Sequence, residues 1–60
     1  MIVKAKYDGE PCYLNTNYVV DIFPNDKYYT AYVLDVERKG YTISKEVLDE
    51  IIKAENEDKG

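Results

Sequence analysis

The chain has no histidine, no tryptophan and a single cysteine among its 60 residues. Each absence removes a class of chemistry. Nucleophilic catalysis needs an activated nucleophile beside a base. The candidates Cys12 and Ser44 have no imidazole to serve them. One thiol without histidine is too small a ligand set for zinc, and it cannot close a disulfide within the chain. The three glycines stand singly, so no glycine-rich phosphate loop is present. Catalytic residues, metal ligands and cofactors are therefore not expected. Basic side chains are also scarce, 8 against 12 acidic ones, for a net charge of −4. Nucleic acid is an unexpected partner on that balance, because phosphate-backbone binding needs clustered Lys and Arg. No apolar run approaches the roughly 20 residues needed to span a bilayer. The N-terminus alternates Ile2, Val3, Lys4, Ala5, Lys6 where a secretory leader has an apolar run. A cytoplasmic location is expected, and a lone cysteine fits a reducing compartment.

What is present is a folded composition, 45% hydrophobic. The alternation of Val3, Ala5 and Tyr7 with Lys4 and Lys6 predicts a half-buried strand. Asp8-Gly9 then predicts a tight hairpin, returned by Glu10 to Leu14. Pro11 cannot donate to a ladder, which places that return strand at an edge. Cys12 and Leu14 share a face, so Cys12 reads as a small buried hydrophobe. Asn15-Thr16-Asn17 reads as a turn or a single helical turn. Tyr18 to Phe23 is strand-like, and Pro24-Asn25-Asp26-Lys27 reads as a loop. Tyr28 to Val36 is the longest strand candidate. Its faces, Tyr29, Ala31, Val33 and Tyr32, Leu34, Val36, are both apolar, which predicts a central strand covered on both sides. Glu37 to Gly40 turns the chain, and Tyr41-Thr42-Ile43 pairs back.

The last element reads as a helix. Ser44 is suited to cap it, and Ile43 and Leu48 stand at hydrophobic-staple positions. Val47, Leu48, Ile51 and Ile52 form an apolar stripe. Asp49 and Lys53 are spaced to pair on the outer face. Glu46 and Glu50 lie one turn apart, and on a solvated face they read as ionised surface, not as an acid–base pair. The fold class is then α+β: a small antiparallel β-meander of about four to five strands, packed against one C-terminal amphipathic helix. Residues 1–54 make one domain, and 55–60 read as a frayed polar tail.

The conspicuous excess is tyrosine: seven residues, with one phenylalanine. Tyrosine suits strands. Yet a 60-residue domain buries only about 60% of the surface its unfolded chain exposes, which is too little for seven large rings. Tyr28, Tyr29, Tyr32, Tyr13 and Tyr18 are the protein-interface candidates, since exposed tyrosine marks interfaces. Residues 44–60 hold six acidic and three basic side chains. Glu46, Asp49 and Glu50 are accordingly the acidic-surface candidates for a partner with a basic face. A marginal core and open strand edges add the expectation of a homodimer.

Tyr13-Leu14-Asn15, then Tyr18-Val19-Val20-Asp21-Ile22, then a glycine turn, then Tyr41-Thr42-Ile43-Ser44-Lys45-Glu46-Val47-Leu48-Asp49-Glu50-Ile51-Ile52 resembles the small flagellar FlbD/SwrD family over about residues 9 to 53. The second half also resembles the C-terminal part of LytTR DNA-binding domains. The resemblance implies the same strands-plus-helix fold. It implies two roles: a flagellar-motor accessory, or a LytTR-like nucleic-acid-binding fragment. The residues themselves point first to a small acidic non-catalytic protein-binding module. Such a module acts as an inhibitor or modulator by occupying a partner protein's surface, as phage and mobile-element proteins do.

Overall fold

A computed structural model describes residues 1–59, with side chains through 57. Five antiparallel strands form one sheet, followed by one helix. The strands are β1 (Ile2–Tyr7), β2 (Glu10–Asn15), β3 (Val19–Asn25), β4 (Tyr28–Val33) and β5 (Gly40–Ile43); the helix is α1 (Lys45–Lys59). The α+β class and the antiparallel sheet follow the hydrophobic pattern. The strand order is β2-β1-β5-β4-β3. A meander runs from β3 through β5, and the β1–β2 hairpin joins it through the β1–β5 contact.

Consecutive strands β2 and β3 therefore lie on opposite edges, yet only the 3₁₀ turn Thr16–Tyr18 links them. Four strand spacings of a flat sheet span about 19 Å. Four residue steps reach at most about 14 Å when fully extended, and less in a 3₁₀ turn. The sheet must curl until its edges meet. A backbone bond extends each flanking ladder into the connection: Thr16 N–H donates to Met1 O at 2.9 Å beside β1–β2, and Leu34 N–H donates to Tyr18 O at 2.8 Å beside β3–β4.

The turns follow their residues. Asp8 and Gly9 both take positive φ, 52° and 81°, as a two-residue turn matched to strand twist requires. Tyr7 and Glu10 flank that turn and exchange both ladder bonds, so Lys6 and Pro11 form a non-hydrogen-bonded pair. The missing N–H of Pro11 thus points out of the sheet, and β2 is indeed an edge strand. Pro24 and Asn25 are not loop residues as the sequence suggested. They pair with Tyr29 and Tyr28, because edge strand β3 tolerates a proline, and only Asp26-Lys27 turns the chain.

Val3, Ala5, Leu14, Ala31, Val33 and Ile43 form the buried core. All lie on the concave inner face, where Val47, Leu48 and Ile51 of α1 pack against them, with Cys12 half-buried beside them. Four readings are corrected here. The strand expected over Tyr28 to Val36 stops at Val33, and the chain turns where Asp35 N–H donates to Val33 O. A single helix covers a single face, so β4 is central but not covered on both sides. Ile52 falls outside the apolar stripe and is exposed. The fourth concerns Asp49, which pairs with Lys45 at 3.2 Å and not with Lys53.

Ser44 caps α1 as expected. Its Oγ accepts from Val47 N–H at 3.2 Å, and its carbonyl accepts from Leu48 N–H at 3.0 Å. Ile43 and Leu48 both reach the core, as a staple should. The polar stretch from Glu55 is helical as far as Lys59, with residues 55 to 57 exposed. Gly60 lies outside the described residues.

Gly40 makes the close approach between β4 and β5 possible. A Cβ there would stand 2.9 Å from Thr30 Cγ2 and 3.1 Å from Tyr32 Cε1. The Tyr32 ring lies over its cross-strand partner Gly40. Gly40→Ala is expected to destabilise by about 1–2 kcal/mol, as overpacking does. Urea unfolding of Gly40→Ala beside Gly40→Ala/Thr30→Ser checks the cause, because the second variant removes Cγ2 and should recover part of the loss.

Candidate protein-interaction surface

The sheet register sorts the rings by face. On the inner side, Tyr7 and Tyr41 stack with centroids 5.1 Å apart, and half-buried Tyr29 packs against the core. On the outer side, a row crosses all five strands: Pro11, Lys6, Thr42, Thr30, Phe23. The paired residues Lys4 and Tyr13, Tyr28 and Asn25, and Tyr32 and Asp21 flank that row. No element covers this face. Tyr13 is 72% exposed, Ile2 61%, Phe23 54% and Tyr28 53%. These are large apolar side chains held rigidly on strands, which lowers the ordering cost of binding.

One corner of the face is fixed by charge. Arg38 donates to Asp21 at 2.8 Å, and its guanidinium lies 5.7 Å from the Tyr32 ring centroid. Tyr32 also meets Phe23 edge-on at 5.9 Å. Arg38 has φ 51°, a left-handed conformation that these contacts hold in place. The ion pair is exposed and contributes at most about 1 kcal/mol. Its effect is to fix Tyr32 and Phe23 in position.

The expected interface residues therefore divide. Tyr13, Tyr28 and Tyr32 share the outer face, whereas Tyr29 is turned to the core. Tyr18, exposed in the 3₁₀ turn, stands apart beside Leu34. Among the acidic candidates, Glu46 and Glu50 line a cleft with Tyr13 and Tyr28, while Asp49 is engaged by Lys45. The sequence reading missed Phe23 and Ile2 on the outer face. It also missed Leu34 and Val36, which it placed in a strand and which are exposed in the loop after β4. Strand alternation alone pointed to Phe23, two residues from Asp21 on the polar side of β3.

The cleft holds about 570 Å³ and lies between β1 and the first turns of α1. Val3, Ala5, Ile43 and Val47 form its apolar floor, and Lys4, Lys6, Glu46 and Glu50 reach its sides. Among the described residues no group of three Cys, Asp or Glu is placed to hold a metal ion, and no helix is long and apolar enough to cross a membrane. The chain matches no family model, no curated protein and no solved structure.

Proposed function

We propose that the chain is a small acidic non-catalytic protein-binding module that modulates a partner by occupying its surface. One observation carries the reading: the chain covers the inner face of its sheet with its own helix and leaves Ile2, Tyr13, Phe23 and Tyr28 exposed together on the outer face. Rigid aromatic side chains of this kind supply most of the energy at protein interfaces. Glu46 and Glu50, which line the cleft beside Tyr13 and Tyr28, favour a partner with basic character. In the absence of the partner, the same face is proposed to pair two copies of the chain. Capture from a bacterial lysate, with Tyr13→Ala/Tyr28→Ala as the control, tests the reading. A flagellar-motor accessory role of the FlbD/SwrD type is the second reading. It is favoured by the capped segment from Gly40 through Ile52, and motility genes as genomic neighbours would support it.

A further inference from the structure

The sheet has two open edges, and they are defended unequally. Edge strands commonly carry bulges, charges or prolines that stop a further strand from pairing with them. β3 carries all three: a register shift between Val19 and Asp21, the charged Asp21 itself, and Pro24. β2 pairs with β1 without interruption from Glu10 to Asn15, and its only charge stands beside the turn at Glu10. Its one obstacle is Pro11. Cys12 and Leu14 are hydrogen-bonded partners of Ala5 and Val3, as Glu10 is of Tyr7, because the pattern alternates. The main-chain groups of Pro11, Tyr13 and Asn15 therefore point away from β1, to the open edge. No backbone bond outside the ladders reaches Pro11 or Tyr13 among the described residues, and both are exposed. Asn15 adds a donor but no acceptor. It caps the 3₁₀ turn, and a capping residue gives its carbonyl to the first bond of the turn.

We infer that β2 pairs with β2 of a second copy of this chain, antiparallel, about a two-fold axis at Tyr13. The inference rests on the pairing of two copies proposed above and names its edge and register. In this register each Tyr13 N–H donates to the Tyr13 carbonyl of the other copy. Each Asn15 N–H donates to the other copy's Pro11 carbonyl. The donor that Pro11 lacks would face the Asn15 carbonyl, which is already taken, so that donor is not needed. Moving the axis by one residue breaks the match. An axis at Cys12 sets the Tyr13 carbonyl opposite Pro11, which has no N–H. An axis at Leu14 sets the Tyr13 N–H opposite the occupied Asn15 carbonyl. The edge is thus complementary to itself in one register, as a two-fold interface requires. The side chains agree with it. The two Tyr13 rings stand side by side on the outer face as a cross-strand aromatic pair. On the inner side Cys12 of one copy lies opposite Leu14 of the other, apolar against apolar. Residues 11–15 carry no charge, so no like charges meet across the axis.

Sedimentation equilibrium of the full chain tests the inference. An interface built on one strand edge is small, so a dissociation constant between about 1 µM and 1 mM is expected. A 60-residue chain is within reach of chemical synthesis, so a single peptide nitrogen can be methylated with every side chain kept. N-methylation at Tyr13 should weaken the dimer at least about tenfold. It should leave the melting midpoint of the dilute chain unchanged, because that N–H points away from β1. Ile22 is the matching control, since its pairing with Ala31 turns its N–H to the open edge of β3. N-methylation there should change neither quantity. Mild oxidation of the dimer should give no covalent product. The two Cys12 residues are diagonal across the axis, about 7–8 Å apart, which is too far for a disulfide. A monomer up to about 1 mM, a dimer indifferent to methylation at Tyr13, or one lost on methylation at Ile22 overturns the inference. A disulfide-linked dimer overturns it as well, because it places the axis at Cys12. Partner capture that depends on Phe23 and Tyr28, which lie off β2, would survive these failures and keep the functional reading intact.

Discussion

Ile43→Ala is expected to abolish most of the fold's stability. Ile43 is 1% exposed. It ends β5, pairs with Tyr29 on β4 and stands at the staple position before α1. It is the one side chain that ties the sheet, the curl and the helix together. Truncating a buried isoleucine to alanine costs about 2–5 kcal/mol, and a site gripped from three directions cannot collapse to fill the cavity. A 60-residue domain has roughly 3–9 kcal/mol in total, at 0.05–0.15 per residue. The loss therefore competes with the whole. Far-UV circular dichroism on heating should show a broad transition shifted far down, or no transition. A cost below about 1 kcal/mol, as at a surface site, would show that Ile43 is not the keystone.

The opposite pattern is expected for Tyr13→Ala/Tyr28→Ala. Both rings project from the uncovered outer face, 72% and 53% exposed. Surface truncations away from caps and packed contacts change stability by about 0.5 kcal/mol or less each. Interface anchors cost about 2 kcal/mol or more each when truncated, or roughly thirtyfold in affinity apiece. The double variant should therefore melt like the parent, lose partner capture and sediment as a monomer. Unchanged capture would remove the outer face from the account.

The elements that local chemistry dictates were legible in the sequence. Asp8-Gly9, Pro11, Ser44 and the Ile43–Leu48 staple each act through their immediate neighbours, and each stands where its residues required. The strand order was not legible. The β1–β5 closure rests on one partnership between residues far apart in the chain, and nothing in either strand's alternation names its partner. The strand from Tyr28 was overrun too. Leu34 and Val36 carry strand-like side chains, but after Leu34 the chain turns, with Asp35 N–H donating to Val33 O and Arg38 N–H to Asp35 O. Composition showed that tyrosines must be left over. Which ones were left over depended on the curl. Tyr29 turned inward, while Tyr13 from β2 and Tyr28 from β4 came to line one cleft. Phe23 shares the face of Asp21 by alternation, and the register puts it outside.

The central claim is that the outer face belongs to a partner. Site-specific photocrosslinking tests it most directly. A benzophenone side chain is placed in turn at Tyr13, Phe23, Tyr28 and Tyr18, and each chain is irradiated in a bacterial lysate. The expected result is one shared adduct from Tyr13, Phe23 and Tyr28 and none from Tyr18, which is equally bare at 61% exposed but stands off the outer face. Adducts from Tyr18 alone, or the same adducts from all four positions, would contradict it.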